Sequence, residues 1–99
     1  MAKRERFHKD FVLDLVSISD YYDSISAKTG NQFRETLDGW LDLIVDSPEA
    51  FARIHDTVRA VRIRTFPYVI LYEILADCVF FIGIVHGASD RENWFHRIG

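Results

Sequence analysis

The stretch Arg59-Ala-Val-Arg-Ile-Arg-Thr-Phe-Pro-Tyr-Val-Ile-Leu-Tyr72 decides the fold class. Up to His55 the apolar residues recur every three or four positions, as on one face of a helix. In this stretch they alternate with polar residues or run continuously, as in β-strands. Phe66-Pro67 interrupts the pattern, because proline cannot donate a backbone hydrogen bond to a strand ladder. We therefore predict one strand through residues 61–65 and a second over residues 68–75.

Upstream of this stretch the sequence predicts two amphipathic helices, near residues 9–26 and 31–46. Their apolar positions recur at steps of three and four. These positions are Phe11, Leu15, Ile18, Tyr22 and Ile25 in the first helix, and Phe33, Leu37, Trp40, Leu41 and Ile44 in the second. Thr29-Gly30-Asn31 predicts the turn between them, which makes the pair an antiparallel hairpin. Ser47-Pro48 predicts a short extra helical turn within residues 48–54.

Downstream, Ala76-Asp77 predicts a tight connection to a further apolar strand over residues 78–85. A short first strand is expected over residues 3–7. The predicted order is therefore β-α-α-β-β-β: an α+β fold in which a helical hairpin packs on a small, mainly antiparallel sheet. The 99 residues are the size of one domain, so we expect a single domain over residues 1–99.

The charge is unevenly distributed along the chain. The formal net charge is −3, but residues 11–50 carry eight acids against Lys28 and Arg34, whereas residues 51–72 carry four arginines against Asp56. An acidic protein lacks the basic surface that neutralises phosphates, so direct sequence-specific nucleic-acid binding is not expected.

The sequence also predicts the compartment. Cys78 is the one cysteine and lies in an apolar run, so it favours a buried thiol over a disulfide or a reactive group. No signal peptide is apparent, and the apolar runs fall far short of the roughly 18 residues that span a membrane. We expect a cytoplasmic protein with no membrane partner.

Several segments together resemble a known family. The basic strand is followed by Phe66-Pro-Tyr68, an apolar pair and Tyr72, then by a short turn, an apolar strand and His86, with Asp90 and Trp94 in the tail. This pattern is similar to the ParE branch of the RelE/ParE toxin superfamily, and the resemblance covers nearly the whole chain. Ser89 departs from it, since relatives often carry Arg in that part of the tail.

The resemblance implies the toxin of a type II toxin–antitoxin, or plasmid-stabilisation, module. Such a toxin is neutralised by direct binding of a cognate antitoxin, here a ParD-like protein, in a hetero-oligomer. ParE-like members are described as poisons of DNA gyrase, whereas RelE-like members cut messenger RNA on the ribosome. The resemblance therefore implies DNA gyrase as the target and leaves the RelE-like ribonuclease as the alternative.

The nuclease positions favour a protein that is not an enzyme. RelE-like nucleases resemble one another in placing Arg, Arg and Tyr where this chain aligns Val69, Ser89 and Phe95. Valine has no charge to stabilise a phosphorane and phenylalanine has no proton to transfer. A nuclease would have to use Arg62 or Arg64 with Arg91 and His86, and an inactive relative is the third alternative.

The candidate partner-binding residues, for an antitoxin or a target, come from the basic strand, the aromatic run and the tail. They are Arg59, Arg62, Arg64, Tyr68, Tyr72, His86, Asp90, Arg91 and Trp94. The alternative is structural: arginine stems covering apolar surface, tyrosine rings in the core and a histidine bonded at the sheet edge. No catalytic residue, metal site or cofactor is predicted, because the spacings of the four histidines fit no metal site and no Gly-rich phosphate loop is present.

Overall fold

The computed structural model describes residues 4–87, which form two helices packed on a five-stranded mixed sheet. The helices are α1 (Lys9–Ile25) and α2 (Ala27–Asp46), and a 3₁₀ turn (Pro48–Ala50) follows them. The strands are β1 (Arg4–Phe7), β2 (Arg53–His55), β3 (Val58–Arg62), β4 (Tyr68–Ile74) and β5 (Cys78–His86). The predicted fold class, a helical hairpin on a small and mainly antiparallel sheet, is confirmed.

The helical hairpin turns at Ser26, so the turn predicted at Thr29-Gly30-Asn31 is wrong. Ser26 ends α1 and caps α2, because its hydroxyl accepts a hydrogen bond from the backbone N–H of Thr29 at 3.0 Å. Gly30 lies inside α2, where a Cβ atom would come 1.7 Å from Oδ1 of Asp23. The glycine therefore leaves room for the Asp23 carboxylate, which pairs with Arg34 at 2.9 Å, and does not make a turn.

The strand order across the sheet is β1-β5-β4-β3-β2, in which β1 runs parallel to β5 and the other pairs are antiparallel. Strand β2 replaces the end of the helical turn predicted over residues 48–54. Its pairing is irregular, and its three residues are too few to show the alternation of apolar and polar side chains that identifies a strand in a sequence. Asp56 makes the hairpin turn that follows with φ of 50°, a conformation that aspartate tolerates.

Strand β3 ends at Arg62. The prediction that this strand continues to residue 65 is therefore wrong, because Arg64 and Thr65 belong to the connection that follows it. The backbone N–H of Ile63 donates to the carbonyl of Tyr68 at 2.9 Å, which closes this connection. The connection at Ala76-Asp77 forms as predicted, since the N–H of Leu75 donates to the carbonyl of Cys78 at 2.8 Å. Cys78 is fully buried, as predicted.

Apolar side chains cover both faces of the sheet. One cluster joins the helices to the sheet through residues such as Phe11, Phe33, Tyr72 and Phe81. A second cluster lies on the face turned away from the helices and consists of Val58, Val69, Leu71, Ile82 and Val85. Because alternate residues of a strand face opposite ways, strands β3, β4 and β5 each contribute to both clusters. An irregularity in the β4–β5 pairing next to Leu71 shifts this alternation in β5.

Asp14 joins α1 to the end of β5. Strand β1 pairs with β5 only from Cys78 to Phe81, so no strand among the described residues pairs with the following part of β5 on that side. The backbone N–H of Ile84 donates there to Oδ2 of Asp14 at 3.0 Å. A helix side chain thus satisfies a strand donor that would otherwise lose its hydrogen bond on burial.

Candidate functional site

Three of the predicted partner-binding residues meet at one end of the sheet. Tyr68 begins β4 directly opposite His86, which ends β5, and Arg62 ends β3 opposite Val69. The rings of Tyr68 and His86 meet edge to face at 5.6 Å between centroids. The N–H of Gly87 donates to the carbonyl of Pro67 at 2.7 Å and ties the two strand ends together. We call this end of the sheet the strand-end site.

Aromatic rings from both helices support the strand-end site. Tyr22 of α1 and Phe33 of α2 stack at 5.3 Å, and both rings contact Phe66 and Tyr68. Burial, together with a hydrogen bond to Tyr68, raises the pKa of Tyr22 to about 12. At neutral pH this phenol stays protonated, so it supplies a rigid wall and a hydrogen bond but no base. The periodicity predicted Tyr22 and Phe33 as core residues and did not show their place beside Tyr68.

Arg59 and Tyr72 lie across from each other on β3 and β4, on the helix side of the sheet. The Arg59 guanidinium donates to the carbonyls of Phe51 and Glu49. The Tyr72 hydroxyl donates to the carbonyl of Pro48 at 2.6 Å, and its ring is fully buried. Both side chains therefore hold the segment that links α2 to β2 against the sheet. A partner contacts the Tyr72 ring only if this packing opens.

Arg62 and Arg64 are exposed, and neither makes an ion pair within the part of the chain that the structure describes. Strand alternation places Arg62 on the sheet face opposite to Arg59. Arg59, Arg62 and Arg64 therefore do not form one continuous basic surface. Together with Thr65, Phe66 and Pro67, the two exposed arginines line an open depression at the strand-end site. The two guanidinium groups give this depression a chemistry that suits an acidic partner, because guanidinium groups pair with carboxylates in a bidentate manner.

Val69 is buried in the second apolar cluster, 5% exposed, next to Leu71, Ile82 and Val85 on the face turned away from the helices. Arg62 lies opposite it on β3 and shares this face. Aliphatic side chains thus fill the surface beside Arg62. Ser89, Phe95 and the predicted tail residues Asp90, Arg91 and Trp94 lie outside the described residues.

Residues 4–87 hold neither a cluster of candidate metal ligands nor a membrane-spanning helix. In that range no three His, Cys, Asp or Glu side chains come together as metal ligands do. None of the helices there is long and apolar enough to cross a bilayer.

Comparison with known proteins identifies a family. A family model described as the ParE toxin of the type II toxin–antitoxin system parDE matches residues 6–91. No curated protein sequence matches the chain significantly.

Solved structures share the fold. A chain from the chromosomal ParDE toxin–antitoxin system of P. aeruginosa superposes with a TM-score of 0.75 at 11% identity, over 86% of this chain and 96% of that one. A double arginine-to-alanine mutant of the E. coli toxin RelE, in complex with an antitoxin RelBc peptide, superposes with a TM-score of 0.65 at 19% identity, over 100% and 97% of the two chains. The free state of the same mutant gives 0.62 at 18% identity, over 99% and 96%.

Proposed function

The chain belongs to the ParE toxin family of type II toxin–antitoxin systems, and from this we propose that a ParD-like antitoxin neutralises it by direct binding and that it poisons DNA gyrase by binding. In this proposal the protein is not an enzyme. It works in the cytoplasm, where both its antitoxin and gyrase are found, and it is stored as a hetero-oligomer with the antitoxin.

The observation that carries the proposal is the composition of the sheet face turned away from the helices. Cleavage of RNA by its 2′-hydroxyl group needs a charge that stabilises the phosphorane and a group that transfers a proton. The buried cluster around Val69 and Leu71 offers neither, because its side chains are aliphatic, although Arg62 at the end of β3 lies on the same face. Losing one charge stabiliser typically lowers a rate by a factor of about 10²–10³, so the aliphatic side chain of Val69 favours binding over turnover.

A ribosome-dependent ribonuclease is the second candidate, and one feature favours it. Arg62 and His86 both lie exposed at the strand-end site, where they could stabilise charge and move a proton. The fold is also shared with the toxin RelE over the full chain. This candidate would use Arg62 or Arg64 together with Arg91 and His86, whereas a binding toxin would use Asp90, Arg91 and Trp94 to contact gyrase.

The antitoxin part of the proposal predicts an electrostatic contact at the strand-end site. An acidic antitoxin segment would pair with Arg62 and Arg64, and Tyr68 and His86 would flank it. Reversing both charges (Arg62→Glu with Arg64→Glu) should weaken the complex by a factor of ten or more, since breaking a desolvated charge pair costs about 2–5 kcal/mol. The measurement is a titration of the chain with its antitoxin by calorimetry.

The matched control is Lys28→Glu, which reverses an exposed cation on α2 away from the sheet. This variant should bind the antitoxin as the unaltered chain does. Equal affinity of the double arginine variant and the Lys28→Glu control would reject the strand-end site as the antitoxin contact. The target is tested separately, by adding the toxin to gyrase with supercoiled plasmid and to ribosomes translating a defined messenger.

A further inference from the structure

The middle of the outward face of α1 is apolar, where an exposed helix normally carries charges. Val12, Leu13 and Val16 are 48%, 65% and 54% exposed. The outward face of α2 is the opposite case, because Glu35, Asp38 and Asp42 are exposed there. Both helices bury their inner side against the same core. Burial therefore does not explain why the outer face of α1 is apolar and that of α2 is acidic. An apolar stripe of this kind is typical of an interaction surface.

The exposed residues of α1 form a seam with the spacing of a coiled coil. Lys9, Leu13, Val16 and Asp20 are all exposed and follow one another at steps of four, three and four residues. These steps place the four side chains on one narrow stripe of the helix. The centre of the stripe is apolar, and its two ends carry opposite charges. Phe11, Ile18 and Tyr22 are buried on the other side of the same helix, toward the sheet and α2.

We propose that this seam binds the seam of a second copy of the chain, with the two α1 helices antiparallel. In a two-fold pair with this register, Leu13 of one copy packs on Val16 of the other, and Lys9 of one copy meets Asp20 of the other. Each contact occurs twice, as two-fold symmetry requires. Lys9 and Asp20 lie about 16 Å apart along their own helix, so they cannot neutralise each other within one chain.

The opposite charges at the two ends of the seam indicate that its partner is a second copy of the chain. Neither Lys9 nor Asp20 has an ion-pair partner within residues 4–87, and a second copy supplies both missing partners at once. Three turns of helix cover less than the roughly 800 Å² per partner of a standard interface, so the dimer is weak and depends on concentration. The strand-end site stays accessible in both copies, because Tyr22 and the sheet lie on the opposite side of α1.

The test is sedimentation equilibrium of the purified full-length chain and of charge variants. Lys9→Glu and Asp20→Lys each place like charges at both ends of the seam, and each should raise the dissociation constant about tenfold. Both substitutions suit the helix dipole, since they add an acid near its start or a base toward its end, so α1 is retained. An equimolar mixture of the two variants should dimerise as tightly as the unaltered chain, because in the mixed pair both ends are complementary again.

Two controls complete the experiment. Glu35→Lys on α2 should leave the dissociation constant unchanged, and Leu13→Ala should raise it. The proposal is overturned if the chain stays monomeric up to millimolar concentration or if mixing the two charge variants restores nothing. It is equally overturned if Leu13→Ala weakens only the complex with the antitoxin, which would assign the seam to that partner. None of these outcomes depends on whether gyrase is the target.

Discussion

At the scale of single residues, Arg59 and Tyr72 are candidate partner-binding residues whose side chains bind backbone carbonyls of their own chain. Both were predicted as partner-binding residues, with packing as the alternative for Tyr72. In the structure they face each other across β3 and β4 and bind the carbonyls of residues 48–51. Sequence periodicity places a side chain on a face, but the segment that crosses over that face is set by tertiary structure. The carbonyl partners were therefore not predictable.

The Tyr72 hydroxyl should have a measurable effect on stability. Tyr72→Phe removes the donor to the Pro48 carbonyl and should lower the free energy of unfolding by about 1 kcal/mol at neutral pH. Burial raises the pKa of Tyr72 from 10 to about 12, although Arg59 opposes this shift. A raised pKa means that stability is complete below pH 10 and is lost as the pH rises from 10 toward 12.

Urea denaturation at pH 7 and at several values above pH 10 measures both effects. The variant should be less stable at pH 7 and should lose stability less steeply with alkali, because Tyr22 alone then contributes the raised pKa. Tyr21→Phe, on the exposed side of α1, is the matched control and should leave stability at pH 7 unchanged. An unaltered alkaline slope in Tyr72→Phe would contradict the cause assigned to this pKa.

At the scale of elements, Asp14 links α1 to the part of β5 that follows its pairing with β1. Asp14→Ala leaves the partly buried N–H of Ile84 without this acceptor and should lower the free energy of unfolding by about 1–3 kcal/mol. Asp14→Asn keeps an oxygen acceptor and should lose less. Urea denaturation gives the energies, and hydrogen exchange of the Ile84 amide locates the effect. Asp38→Ala, on the exposed face of α2, is the control, and equal losses in Asp14→Ala and Asp38→Ala would refute the link.

The sequence predicted the elements whose pattern is long and missed those that depend on one contact. Helix α1 has 17 residues and helix α2 has 20, which is enough for their apolar positions to show a helical period. The three residues of β2 are too few to show the period of a strand. Gly30 was taken as a turn because glycine usually marks one. Here it lies where Asp23 of the neighbouring helix comes close, and that approach is invisible in one sequence. The burial of Val69 agrees with the continuous apolar run that predicts a strand over residues 68–75.

At the scale of the whole molecule, the described fold separates two surfaces. The helical side carries the acidic face of α2 and the seam of α1, whereas the strand-end site gathers Arg62, Arg64 and His86 beside an aliphatic sheet face. This distribution is the basis of the proposal that the protein acts by holding partners, whereas catalysis of phosphoryl chemistry requires a polar, charge-stabilising surface. Fold alone does not decide between the two functions, because toxins of this fold serve both.

The central claim is that this toxin acts by stoichiometric binding and not by turnover. The most direct measurement adds a limiting amount of the purified toxin to a translation mixture that contains gyrase, supercoiled plasmid and a defined messenger. Gyrase molecules inactivated and messengers cleaved are then counted for each toxin molecule. We expect loss of supercoiling that rises in proportion to the toxin and stops near one gyrase per toxin, with the messenger intact. Many cleaved messengers per toxin, with gyrase still active, would contradict the claim.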